Sequence, residues 1–249
     1  MTEVSNGEVQ TAAMDHYGLV AAICQDLKIA EKIDSRLSAD PQRKVSPGTA
    51  VVAMIINGLG FTNRRLYLTH QFFESKPIAR LLGQHLEAKD ITDYTLGHAL
   101  DDISECDASQ LFAEVAFEIA LENNVLGPNN HLDTTSMSVR IEALMMVMTL
   151  CLMVYNFGQY RIREQLKEQQ ITLPNQLGKE VGNPTLRWIF QLMEGIGVVY
   201  FYEALSTQHV REVITNLTHL RRKIISLFGE TAERIYGLIP KNSLGGLGM

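Results

Sequence analysis

The sequence predicts a mainly α-helical protein, a helical N-terminal region followed by C-terminal helices, with little strand between them. Three observations predict it. Apolar residues recur at helical spacing through most of the chain, polar capping residues precede one apolar run after another, and strand-like patterns are confined to short stretches near His131–Ser136 and Val198–Tyr202. The composition, 46% hydrophobic and 20% charged over 249 residues, supplies ample core material and excludes a mainly disordered chain. An α+β protein with a small residual sheet is the alternative.

The elements follow in order. Leu19, Ile23, Leu27, Ile29 and Ile33 fall near helical spacing, with a break around Leu27–Ile29. "VSPGTAVVAMIINGLGF" starts a helix with Ser46 as N-cap and Pro47 in the first turn, and Gly58 and Gly60 end it. "RLYLTHQFFES" is helical, and "PIARLLG" runs from Pro77 to Gly83. Thr92 or Asp93 caps "ITDYTLGHALDDISE", and Asp107 opens a helix that is apolar at Leu111, Val115, Ile119 and Ala120. Asn123, Asn124, Gly127 and Pro128 mark a boundary.

From Val139 to Gln169 the pattern fits one long helix, apolar first and amphipathic from Tyr155 onward. Its segment "ALMMVMTLCLMVYNFG" falls short of the roughly 20 residues of a membrane span, which predicts a buried core helix. A loop with Pro174 and Gly178 leads to a helix with Asn183 as cap and Pro184 in its first turn. "VVYFYEAL" has the β-branched and aromatic content of a short strand. "HVREVITNLTHLRRKIISLFG" reads as an amphipathic helix, with Val210, Val213, Ile214, Leu217, Leu220, Ile224, Leu227 and Phe228 in one stripe. A last helix near "TAERIYGLI" precedes the Gly-rich "KNSLGGLGM" tail.

Net charge is −6, unevenly placed: 10 Lys+Arg against 18 Asp+Glu up to Asn130, and 12 against 10 from His131 onward. Neither half is a dedicated polycation, so any nucleic-acid contact must come from local clusters. Arg43 and Lys44 before the Ser46 cap, and Arg64 and Arg65 after Gly60, are the candidate phosphate contacts. Arg221, Arg222 and Lys223, near the end of a helix, equally suit its macrodipole. Cys24, Cys106 and Cys151 show no CxxC spacing and read as free thiols. With an N-terminus that lacks a basic n-region, they suggest a cytoplasmic protein with no membrane partner. His98 and Asp102, four apart on a helix, read as a surface hydrogen bond, and no GxGxxG, P-loop or GxSxG is present.

"NNHLDTTS" reads as a short strand on which His131, Asp133 and Thr135 share one face. A strand carboxylate beside hydroxyls suits Mg²⁺, but one carboxylate is not a metal site, and His131 has no spaced partner for zinc.

The stretches "MDHYGLVAAICQDLKIAEKIDSRL", "PGTAVVAMIINGLGFTNRRLYLTHQFFE" and "HLDTTSMSV" resemble the N-terminal region of bacterial insertion-sequence transposases of the group named after insertion sequence four. "RIEALMMVMTLCLMVYNFGQYRIREQL" and "NPTLRWIFQLMEGIGVV" resemble the C-terminal end of the same proteins. The resemblance implies a helical N-terminal domain over 1–130, the first strand of an RNase H-like core over 131–138, and a helical C-terminal region over 139–249. It makes Asp133 the first carboxylate of an Asp-Asp-Glu triad. The segments bearing the second Asp and the Glu have no counterpart, and Val139–Arg140–Ile141 looks like the junction of an internal deletion. In the Tyr-x2-Arg-x3-Glu-x6-Lys signature Tyr160 and Arg163 fit, but Lys167 stands where Glu is required. The third acid therefore falls on no residue here, and Glu142 corresponds to a position beyond it. Intact relatives use Mg²⁺ to cut and join DNA. The expectation for this chain is a truncated, inactive transposase with Asp133 vestigial and no bound metal. The alternative is an inhibitor that binds DNA ends, an intact transposase or a second copy of itself.

Overall fold

The computed structural model describes residues 8–37, 43–60, 68–83, 85–125, 139–202 and 209–240. Over the described residues the chain is mainly helical with two small antiparallel sheets, of three and two strands. It divides into two compact units. One comprises Met1–Ala22, Ser75–Pro77 and Gly158–Met249, and the other Ile23–Glu74 and Ile78–Phe157.

The second unit is built around α3 (Pro47–Gly58), buried at nearly every position. A helix apolar on all sides is stable only when surrounded. α2 (Ile29–Asp34) and α6 (Asp93–Glu105) pack on it, and α7 (Ala108–Glu122) packs on both of these. The α2 contact is close: a Cβ on Gly48 would lie 2.2 Å from the Ala30 carbonyl oxygen. The short helices α4 (Thr69–Glu74) and α5 (Ile78–Leu81) and a 3-10 turn at Ala88–Asp90 complete the described part. Most expected starts are observed. Ser46 accepts the Thr49 N–H, Thr92 the Thr95 N–H, and Asp107 those of Ser109 and Gln110. The break after α1 (Tyr17–Asp26) is also observed, with Lys28 in the left-handed region at φ 51°.

α2 and α7 are joined by charge. Lys32, with its side chain only 5% exposed, meets Glu118 at 2.7 Å and Glu122 at 2.8 Å. Arg36 reaches Glu118 at 2.6 Å and Glu114 at 3.1 Å.

The first unit holds a sheet of β1 (Val9–Ala13), β4 (Gly197–Tyr202) and β5 (His209–Thr215), with β4 central. Val9 pairs with Phe201 and Ala13 with Gly197, while Gly197 also pairs with Thr215. The strand expected near Val198–Tyr202 is thus present, with β1 and β5 as neighbours. The strand expected at 131–138 lies outside the described residues. Tyr236 of α11 (Glu230–Ile235 and its C-cap) is fully buried against Gly18, and its hydroxyl donates to the Asp15 carbonyl.

Three expectations are corrected. The stretch 209–227 is not one helix: β5 ends at Thr215, Asn216 turns the chain at φ 62°, and Thr218 caps α10 (His219–Leu227). The β-branched Val213, Ile214 and Thr215 pair with β4, and that pairing outweighs a helical period. Thr185, not Asn183, caps α9 (Leu186–Leu192): its hydroxyl accepts the Trp188 N–H, which lies beyond the reach of a cap two residues earlier. The loop after residue 172 contains a two-stranded hairpin, β2 (Leu173–Pro174) and β3 (Glu180–Val181), turned by Asn175 and Gly178.

α8 (Val139–Glu168) is the expected single long helix. By length and composition Ile141–Glu168 is apolar enough to cross a membrane: an 18-residue window of it has a mean hydropathy of 1.6, and with 33% of that window buried the segment is not the buried core helix expected. Ala143, Met146, Val147, Leu150 and Val154 form its buried face, while Ile141, Leu144, Met145, Met148 and Leu152 are exposed.

Candidate nucleic-acid interface

Two helix N-termini open onto one cavity in the second unit. α3 begins at Pro47, and the residues leading into it are Arg43, Lys44 and Val45. α6 begins at Asp93, and the 3-10 turn leading into it carries Lys89 and Asp90. Packing of α6 on α3 brings these leaders together around about 560 Å³ of space. Arg43, Lys44, Lys89, Asp90, Tyr94 and His98 supply its polar and aromatic lining.

A helix N-terminus carries roughly half a positive charge, which suits an anion, although the first-turn N–H groups of α3 are already taken: Pro47 has none, Gly48 donates to Asp34 and Thr49 to Ser46. Three cations and one carboxylate among the lining residues add to that bias. Each cation has an acid partner: Lys44 meets Asp90 at 2.7 Å, Lys89 meets Glu87 at 2.6 Å, and Arg43 pairs with Asp102. The Lys89–Glu87 pair is exposed and of the kind that contributes about 0–1 kcal/mol, whereas the Asp90 and Asp102 side chains are only 12% and 24% exposed, so these carboxylates compete with a phosphate oxygen for Lys44 and Arg43.

Asp90 has a second task, accepting the Glu87 N–H at 2.8 Å in a reciprocal cap. Burial opposes ionisation of Asp90, but the hydrogen bonds from Lys44 and Glu87 and the charges of Lys44 and Lys89 outweigh it and hold the carboxyl below its usual range. The Lys89 ammonium is held above its usual range by its hydrogen bond and attraction to Glu87.

Arg43 and Lys44 are thus brought together with groups that sequence reading missed, Lys89 and Tyr94. Tyr94 is 73% exposed. Its ring meets His98 at 4.2 Å between centroids and 86° between planes. The expected His98–Asp102 hydrogen bond is replaced, since Asp102 turns to Arg43 and His98 to Tyr94. The available signal was an aromatic in the first turn after a Thr cap, on the polar side of its helix.

Arg64, Arg65 and Asp133 lie outside the described residues. Among the described residues no group of three or more His, Cys, Asp or Glu side chains is placed to hold a metal ion. Arg221 stands in the first turn of α10, and donates to the carbonyls of Leu192 and Asn216 at 2.8 Å and to that of Glu194. It closes the C-terminus of α9, the negative end of a neighbouring helix rather than of its own. Two of the thiols are poorly suited to chemistry: burial pushes the Cys24 thiol far up, with Cys151 nearby adding to the shift, and pushes Cys151 up to about 11.

Residues 9–117 match a family described as a domain of unknown function (DUF4277), a domain found in transposase-associated proteins. The cavity lies wholly within the matched segment. No curated protein and no solved structure matches the chain.

Proposed function

We propose that the chain is a shortened relative of the DDE-type insertion-sequence transposases, and that it binds DNA through its N-terminal domain without cutting or joining strands. One observation supports this above the others: within the domain match, Arg43, Lys44 and Lys89 surround a cavity at two helix N-termini. The resemblance at "HLDTTS" supplies one carboxylate, Asp133, where two-metal phosphoryl transfer needs several to hold both ions in line.

Net charge of −6 works against long-range attraction of DNA, so binding is local and salt-sensitive. With roughly two or three phosphates contacted, affinity falls about 10- to 40-fold between 50 and 200 mM salt. The test is fluorescence anisotropy of a labelled duplex carrying the terminal repeats of a related element. Arg43→Ala and Lys44→Ala weaken binding and flatten the salt dependence. The same protein with Mg²⁺ or Mn²⁺ yields no nicked or joined product, and Asp133→Ala changes nothing. Binding indifferent to both cavity variants, or cleavage abolished by Asp133→Ala, would overturn the proposal.

A second reading, pairing with another chain that carries the same helix, is favoured by the exposed Ile141, Met145, Met148 and Leu152 of α8.

A further inference from the structure

We propose that the cavity takes an unpaired nucleotide at a DNA end, its base stacked on Tyr94 and its phosphate held by Lys44 and Lys89. This rests on the DNA-binding reading and adds what the site selects. An aromatic side chain usually buries its ring, because that area dominates core energetics. Tyr94 instead leaves 73% of its surface in solvent, in the first turn of α6 and among the cations of the cavity. Its contact with His98, near 4.2 Å and perpendicular, leaves at least one face of the phenol open whichever ring supplies the edge.

Open aromatic faces beside ammonium groups are the elements of single-strand recognition, in which bases stack and cations follow the phosphates. A paired base inside a duplex has both faces covered by its neighbours and cannot stack on a side chain unless it is extruded. About 560 Å³ is the size of a small-ligand pocket, whereas a duplex would have to lie across its rim. The cavity therefore distinguishes an unpaired nucleotide from paired ones. The carboxylates of Asp90 and Glu87 already hold Lys44 and Lys89 and set a low ceiling on phosphate affinity, so the base supplies the selectivity.

The test compares anisotropy titrations at 50 mM salt of a blunt duplex and of the same duplex with a four-nucleotide 3′ overhang, with free thymidine monophosphate as competitor. The overhang is expected to bind about 5- to 150-fold tighter than the blunt end, the range of one stacked base. Tyr94→Ala removes that difference, Tyr94→Phe keeps it, and Lys44→Ala weakens both DNAs alike. In Tyr94→Trp, the added indole fluorescence is quenched by the overhang and not by the blunt duplex. Circular dichroism confirms that each variant is folded. Equal binding of the two DNAs, with Tyr94→Ala silent, overturns this inference and leaves the DNA-binding proposal standing. Binding of neither DNA overturns both. Thymidine monophosphate binding as tightly as the overhang would make the ligand a free nucleotide and overturn the assignment to a strand end.

Discussion

Lys44 Nζ lies 2.7 Å from Asp90 Oδ2, and the same carboxylate oxygen accepts the Glu87 backbone N–H at 2.8 Å. One acid therefore restrains a candidate phosphate ligand and closes the turn that leads into α6. The two tasks are separable by charge. Asp90→Asn keeps an oxygen for the cap and removes the competitor for Lys44. It is expected to raise DNA affinity at low salt by about fivefold, the worth of one charge near a phosphate in a wet site, while lowering stability by no more than about 1 kcal/mol. Anisotropy and urea unfolding measure the two effects. Because the folded Asp90 carboxyl is held low, its stabilisation is present above the unfolded value of about 3.9. It is lost as pH falls through the folded value.

The Lys32–Glu118 network predicts the shape of the stability profile. Hydrogen bonds from Lys32 and then Arg36 hold the Glu118 carboxyl low, so its contribution is present above about pH 4.3 and is lost as pH falls through the folded value. Burial opposes the charge on Lys32, but Glu118 and Glu122 outweigh it and hold the ammonium above its usual range. Its contribution is present below about pH 10.4 and is lost as pH rises through the folded value. Thermal melts from about pH 3 to 11 should show Lys32→Met with a lower plateau and a flatter alkaline limb. A variant with the wild-type alkaline limb would remove Lys32 from the account.

Two glycines predict opposite signs. A Cβ at Gly48 would meet the Ala30 backbone at 2.2 Å, and the Gly48 N–H already donates to Asp34 at 2.7 Å. Gly48→Ala must push α2 away and should cost at least about 1–3 kcal/mol. At Gly97, inside α6, a Cβ would meet nothing within 4 Å. Gly97→Ala should therefore stabilise by about 0.5–1 kcal/mol through helix propensity. Urea unfolding of the two variants decides it.

The exposed face of α8 predicts association. Ile141, Met145, Met148 and Leu152 are spaced four, three and four apart, the period of a helix pair, with Met148 56% and Leu152 63% exposed. Sedimentation velocity over a hundredfold concentration range should show reversible growth in mass. Met148→Glu with Leu152→Glu should return the protein to monomer without loss of helix content. A concentration-independent monomer for the unaltered chain would exclude the pairing.

The sequence by itself determined three of the helix starts in the N-terminal half. A Ser, Thr or Asp cap acts on N–H groups two or three residues away, so Ser46, Thr92 and Asp107 can be read without knowing what surrounds them. It also determined α8 as one element, since no residue between Val139 and Glu168 breaks the helix. Tertiary structure decided the rest. β1 pairs with β4 across almost the whole chain, and Val9–Ala13 alone carries too short a pattern to announce a strand. β5 is a strand because β4 lies beside it, although its apolar spacing also fits a helix. Of the candidate site, Arg43 and Lys44 were legible as a basic pair before a cap, and Lys89 and Tyr94 were not. They join Arg43 and Lys44 only when α6 packs against α3, and no local pattern encodes which helix a polar face will meet.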